Sequence, residues 1–296
     1  SNRIIRDVEF DYVIVDEAAK ATFPELAVSL NKAHKIILVG DHQQLPPVLD
    51  TEIIRNNKEK LDEEGLAQGV FERMYNMFPE DNKHRLTIQY RMHPTIGTLI
   101  SHVFYNDEIQ NGVEAQDREL CIEGYEGIAI EWISTSKYST KERYEKEFDN
   151  NGKKSYQNYL ERNIIERKLL ELDSKLVKRT KVAVITGYGS QKYILQTMVK
   201  QHSFKHIEVD VDTVDAFQGS QKDIILYSTV RSSGNKYGIG FLKSEARINV
   251  AFSRARCLLI IVGDMKFLDN YKIRGNKFPE IIKYITESEG CRIIEK

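Results

Sequence analysis

Short apolar runs rich in β-branched residues alternate along most of the chain with stretches of helical spacing. FDYVIVD, HKIILVGD, HRLTIQY, GIAIEWI, KVAVITGY, DIILYSTV and CLLIIVGD predict buried strands. Between them, PELAVSLNKA predicts a short helix opened by Thr22 and Glu25 at capping-box spacing. SYQNYLERNIIERKLLEL sets Leu160, Ile164, Ile165 and Leu169 on one helical face, and SQKYILQTMVKQH and SEARINVAFSRA predict further helices. This alternation points to an α/β fold, parallel sheets flanked by helices. KYSTKERYEKEFDNNGKKS is charged, mixed in sign and nearly free of aliphatic residues, so a surface loop is expected there. FPEDNKHR interrupts the apolar pattern, and a domain boundary is expected after residue 82.

At 296 residues the chain has room for one large domain or two ordinary ones. Its 43 Lys and Arg balance 44 Asp and Glu, so no global charge marks a nucleic-acid binder. A local groove on a neutral protein can still be basic. Cys121, Cys257 and Cys291 form no CxxC pair, which argues against a zinc site or a disulfide framework and fits a reducing cytoplasm. The apolar runs are too short to cross a bilayer and no signal-peptide pattern opens the chain, so no membrane association is expected.

Candidate chemistry gathers at the ends of the first two strands. VIVDEAAKA sets Asp16 beside Glu17 directly after three β-branched residues. Two solvated acids that stop a strand would account for the pair. So would the Walker B element of a P-loop nucleotidase, in which Asp16 holds Mg2+ and Glu17 orients the attacking water. KIILVGDHQQLPPV then presents Gln44 ahead of Pro46 and Pro47. An amide that both donates and accepts suits a γ-phosphate oxygen and a lytic water, while a polar turn fixed by the prolines is the plain alternative. Two successive strands with such ends favour the nucleotidase.

As a set, VDEAAKA, GDHQQLPPV, QYRMHP, VDAFQGSQKDII and RINVAFSRAR resemble motifs II to VI of superfamily-one DNA and RNA helicases. The branch they resemble contains the nonsense-decay helicase and the replication helicase–nuclease, which are AAA-type P-loop nucleotidases. The resemblance implies a partial first RecA-like domain over 1–82 with motifs II and III, then a complete second one over 83–296 with motifs IV to VI. It also implies ATP and Mg2+ held between the domains, with Asp16, Glu17 and Gln44 on one wall and Arg91 and Arg254 on the other. Tyr90 would stack on the adenine, Arg91 would reach the γ-phosphate and Arg254 would serve as the arginine finger.

RINVAFSRAR reads as a helix with Ile248, Ala251, Phe252 and Ala255 on an apolar face and Arg247 and Arg254 on another; Arg256 is expected to be structural or solvent-facing. Gln218 offers an amide to the nucleotide, and Gly219 allows close backbone approach. Gln221 stands where the family usually has a Glu directed at the nucleotide sugar, and Gly187 where it usually has Pro. Thr186, Tyr188 and Thr213 match positions lining the nucleic-acid strand.

No G-x-x-x-x-G-K-[ST] occurs in the chain; the nearest string, NNGKKSYQ, has Lys154 in place of Ser or Thr. The resemblance therefore implies that this motif lies in an upstream part of the same protein, and that the 296 residues alone do not turn over ATP. The expected function is the C-terminal motor of an ATP-dependent helicase: cytoplasmic, monomeric, and moving along single-stranded DNA or RNA. A nucleic-acid-binding or scaffold module without turnover is the alternative, and a nuclease fused upstream a third possibility.

Overall fold

The computed structural model describes residues 8–47, 69–150, 153–233, 238–270, 272–273 and 275–295. They fall into two compact units, Ser1–Arg85 and Leu86–Lys296. No helix among the described residues is long and apolar enough to cross a membrane.

In the first unit β1 (Phe10–Val15) pairs in parallel with β2 (Ala33–Leu38) through α1 (Phe23–Leu30). The capping box forms, with the Thr22 amide and hydroxyl donating to Glu25 Oε2 at 2.7 and 2.8 Å. Those bonds favour the ionised carboxylate and lower the Glu25 pKa. Ala18 and Leu26 form a small core with Phe71 from α2 (Val70–Met77). The strands are not buried as the sequence predicts: Ile14 is 67% exposed and Ile37 47%. Val13 and Val15 turn inward, but among the described residues no second layer covers the face carrying Tyr12 and Ile14.

The second unit is built on a six-stranded, wholly parallel sheet in the order β12–β5–β11–β10–β8–β9. Apolar runs predicted β5 (Ile130–Ser134), β8 (Thr180–Thr186), β10 (Lys222–Ser228) and β11 (Ala255–Gly263). The two edge strands, β9 (Ile207–Thr213) and β12 (Cys291–Glu295), are half-exposed and interleaved with charges, which hid them. One sheet face packs on α5 (Tyr159–Lys175) and α6 (Gly189–Lys200), through Ile164, Leu169 and Leu195 against Val182, Ile224 and Ile260. The other face meets α3 (Pro94–Phe104), α7 (Glu245–Phe252) and α9 (Phe278–Glu287); α8 (Met265–Leu268) is a single turn. Here Trp132 meets Phe278 edge-on at 6.0 Å, and Tyr227 meets Phe252 at 5.3 Å.

Two further segments depart from expectation. In HRLTIQY only β3 (Ile88–Gln89) pairs, with β4 (Gln110–Asn111), because Leu86 and Ile88 have no layer to enter. The charged segment is not a loop but α4 (Thr140–Arg143) followed by an antiparallel hairpin of β6 (Lys146–Asn150) and β7 (Lys153–Gln157). Its charges are used across the hairpin, where Lys154 Nζ and Tyr156 Oη both donate to Glu147, at 2.8 and 3.0 Å.

Candidate functional site

Parallel pairing puts the ends of β1 and β2 side by side. The Val39 amide donates to Val15 O and the Ala18 amide to Val39 O, both at 2.8 Å, so the two following loops interlock. Gly40 is required there, since a Cβ would lie 2.8 Å from the Ala19 nitrogen. Glu17 adopts the left-handed conformation, φ 53°, and its amide donates to Asp16 Oδ1 at 2.8 Å. Asp16 is thereby oriented while both carboxylates stay open to solvent. In the neighbouring loop, Gln44 Nε2 donates to Asp41 Oδ2 at 2.8 Å and the Gln43 amide to Asp41 Oδ1 at 3.0 Å. Asp16, Glu17 and Gln44 thus occupy adjacent loops at one end of this sheet. Their oxygen donors fit a hard cation such as Mg2+, which takes only one or two carboxylates when phosphates supply the rest. Among the described residues no cluster of three or more His, Cys, Asp or Glu could hold a metal ion.

A second constellation forms at the amino-terminal end of β10 and β11. Gln89 Oε1 accepts the Arg91 and Met92 amides at 2.9 and 2.8 Å. Arg118 donates to the carbonyls of Arg91 and Tyr90, at 2.8 and 2.7 Å, fixing that turn from the other side. The Tyr90 ring is left 63% exposed, and Arg91 Nη1 donates to Ser253 O at 3.3 Å.

The helix predicted through Arg254 ends at Phe252, so Arg254 shares no helical face with Arg247. It lies in the turn into β11, 2% exposed, and its Nε donates to Val250 O at 3.0 Å, satisfying one of the last carbonyls of α7. Its Nη2 donates to Ser253 Oγ at 3.2 Å and its Nη1 to Ser220 O at 3.3 Å. Gly219, φ 79°, and half-buried Gln218 precede Ser220, and exposed Gln221 follows it. Arg91, Arg254 and the 218–221 loop are therefore joined through Ser253 and Ser220. Arg256 pairs with Asp223 at 3.0 Å.

The residues expected along a nucleic-acid strand lie at the opposite, carboxyl-terminal end. Thr186 stands opposite both Ser228 and Thr213 in the sheet register. With β10 seven residues long, about 20 Å separates the two ends. Thr213 is half-buried, but Thr186 is wholly buried and its hydroxyl has no hydrogen-bond partner among the described residues. The strand contact expected of the Thr186 side chain is therefore closed off. Tyr188 is also buried, edge-on to Tyr156 at 5.4 Å and to Phe241 at 5.2 Å. The hairpin and the turn Gly240–Lys243 cover these strand ends, and nothing in KVAVITGY foretells that cover.

Two family models, each described as an AAA domain, match residues 1–52 and 66–266. The chain belongs to the AAA-domain family, in its superfamily-one, nonsense-decay helicase branch. It is 36% identical over 292 residues to the ATP-dependent helicase NAM7 of Saccharomyces cerevisiae, covering 97% of this chain and 28% of that protein. To a regulator of nonsense transcripts 1 homolog of Neurospora crassa it is 36% identical over 273 residues, covering 90% of this chain and 24% of the relative. An uncharacterized ATP-dependent helicase of Methanocaldococcus jannaschii, MJ0104, is 31% identical over the whole of this chain and 42% of its own length. The chain thus spans between about a quarter and two fifths of these relatives.

In this AAA-domain chain, several organising residues escape sequence reasoning. Arg118, outside every motif, and Gln89, which opens QYRMHP, shape the Tyr90–Arg91 turn through bonds to its backbone that residue type alone does not foretell. Arg247 pairs with Asp215 at 3.2 Å, tying α7 to the connector between β9 and β10. Glu161 did leave a signal, a charge in line with Ile164 and Ile165 on the apolar face of α5. It is wholly buried and accepts from Ser228 Oγ at 2.6 Å, Thr229 Oγ1 at 3.1 Å and the Val230 amide at 2.9 Å.

Proposed function

We propose that this chain is motor machinery of an ATP-dependent helicase that steps along single-stranded DNA or RNA. The observation that carries the proposal is the joining of Arg91, Arg254 and the 218–221 loop through Ser253 and Ser220. Two guanidinium groups held by backbone carbonyls are pre-set to neutralise charge on phosphoryl oxygens. Asp16 would hold Mg2+, which when bound supplies charge neutralisation to the phosphates. Glu17 would take a proton from the attacking water, Gln44 would orient that water, and exposed Tyr90 would stack on the base. Gln218 and Gln221 would offer amides to the nucleotide.

The connector 214–221 gives the proposal its coupling element. It leaves β9 at Thr213, at the strand-binding end, and enters β10 at Lys222, at the phosphate end. Val214 and Phe217 pin it to the core. A movement of Arg254 toward phosphate would draw on Ser220 and so on the segment that leads back to Thr213. We further propose that the G-x-x-x-x-G-K-[ST] cradle, which these 296 residues do not contain, is supplied by other parts of the protein.

The test is ATP hydrolysis, with and without a single-stranded oligonucleotide, by the intact protein and by these 296 residues alone. Strand-stimulated turnover is expected of the first and none of the second. Stimulated turnover by the 296 residues alone, or none by the intact protein, overturns the proposal.

A further inference from the structure

We propose that the open edge of β9, set in a groove between α6 and the connector 214–221, docks an extended acidic segment of a partner protein as a seventh strand of the large sheet. β9 is the last strand of that sheet and pairs only with β8. The Thr180 amide donates to His206 O at 2.8 Å, so by the alternation of a strand the backbone groups of Glu208, Asp210 and Asp212 face β8. Those of Val209 and Val211 face outward, and Gln196 Nε2 from α6 reaches Val211 O there at 2.9 Å. Both ends of this edge are closed: Asp173 Oδ1 accepts the Ile207 amide at 3.0 Å, and Asp212 Oδ1 accepts the Thr213 amide at 2.7 Å. The middle is open. There the Ile207 carbonyl, both backbone groups of Val209 and the Val211 amide are turned away from β8, a template for strand addition.

The groove along this edge has a volume of about 470 Å3. α6 lines it with Val199 and Lys200, and the connector with Ala216 and Phe217. An edge strand beside a helix is an arrangement by which extended peptides add to a sheet, backbone bonds giving affinity and alternate side chains giving specificity. The charges select the partner. Asp210 pairs with Lys222, and Asp212 pairs with Lys192 at 2.7 Å. Lys200, exposed in the last turn of α6, has no ion pair among the described residues, so the lining keeps one uncompensated positive charge. An acidic side chain turned toward α6 would meet it, while an aliphatic neighbour turned the other way would meet Phe217. A second copy of β9 would set its acids against these same acids, which disfavours self-pairing. Nothing in this surface depends on nucleotide or strand chemistry, so it stands apart from the helicase reading.

The experiment measures, by fluorescence anisotropy, binding of labelled pentapeptides to the intact protein and to the 296-residue chain. One peptide alternates valine with glutamate, a second alternates valine with lysine, and a third is the glutamate peptide N-methylated at alternate residues. The glutamate peptide is expected to bind both proteins with a Kd below about 1 mM and more tightly than the lysine peptide. The N-methylated peptide, which cannot complete a ladder, is expected not to bind. Lys200→Glu should weaken binding of the glutamate peptide about 10-fold and favour the lysine peptide. Val209→Pro removes an outward amide but no bond to β8, and should also weaken binding about 10-fold. Lys283→Glu, on the exposed side of α9, should leave binding unchanged. Thermal unfolding establishes that each variant keeps its fold; should Val209→Pro fail to, the exposed Lys200→Glu still decides. No binding of the glutamate peptide, equal binding of the lysine or N-methylated peptide, or wild-type affinity in Lys200→Glu overturns the proposal. Binding by the 296 residues but not by the intact protein assigns the edge to another part of the same protein, and a dimer that the peptide disperses in sedimentation assigns it to a second copy. Either result overturns the partner.

Discussion

Arg254 donates from Nη1 to the carbonyl of Ser220 at 3.3 Å, and this bond ties the start of β11 to the loop that opens β10. Seven residues earlier, Arg247 pairs with Asp215 at the other end of the same connector. The helix α7, through Arg247, and the turn after it, through Arg254, therefore hold the connector at its two ends, one by a side-chain ion pair and the other by a bond to a backbone carbonyl. A group that neutralises phosphate charge in the proposed cycle is thus also a fastener between two strands.

Replacing Arg254 should accordingly damage stability as well as turnover. Arg254→Lys keeps the charge but loses the planar fork that reaches Val250 O and Ser220 O together. The expected cost is about 1–3 kcal/mol, from buried carbonyls left without donors. Urea unfolding of the 296-residue chain measures it; an unchanged midpoint would show that these bonds contribute nothing to the fold.

Glu161 makes stability depend on pH. Burial pushes its carboxyl up to about 8, against the lowering effect of bonds from Ser228, the Val230 amide and Thr229, and nearby Glu145 adds to the rise. Between its unfolded value of about 4.5 and 8 the folded state binds more protons than the unfolded one. This contribution to stability is complete below pH 4.5 and is lost as pH rises through about 8. Glu161→Gln, which cannot titrate, should flatten the melting-temperature profile between pH 5 and 9, a range chosen to bracket that window. Equal slopes for the two proteins would place the titration elsewhere.

The legible parts of this chain were those with a period or a spacing. Buried β8, β10 and β11 announced themselves as apolar runs, and the Thr22–Glu25 capping box was plain from two residues. The hairpin was not, because its order comes from Glu145 meeting Arg231, 86 residues away in the chain. The Arg254 position was half legible: its residue type stood out, but helical spacing alone carried α7 too far, past the Ser253 cap. Thr186 misled for a related reason, since a hydroxyl at a strand end looks accessible until another segment is known to cover it.

Glu17 combines a local cost with its proposed role. A non-glycine residue at φ 53° gives up about 1 kcal/mol relative to glycine. Glu17→Gly should therefore raise the midpoint of thermal unfolding slightly while abolishing ATP turnover by the intact protein. Glu17→Gln should leave unfolding unchanged and reduce turnover at least about 100-fold, by removing the base. Turnover that survives both substitutions would free Glu17 of any part in hydrolysis.

The ion pair of Arg231 Nε with Glu145 Oε1, at 2.8 Å, anchors the hairpin with both side chains at 3% exposure or less. Glu145 also accepts the Ser232 and Ser233 amides at 2.9 and 2.8 Å and Ser233 Oγ at 2.6 Å. Glu145→Ala leaves a buried guanidinium and two amides without their acceptor, which should cost about 3–5 kcal/mol. Adding Arg231→Met removes the stranded charge, so the double variant should be more stable than Glu145→Ala alone. Urea unfolding supplies the four stabilities of the cycle, and limited proteolysis within 146–157 reports whether the hairpin has come loose. A double variant no better than the single would mean that the orphaned amides, not the unpaired guanidinium, account for the loss.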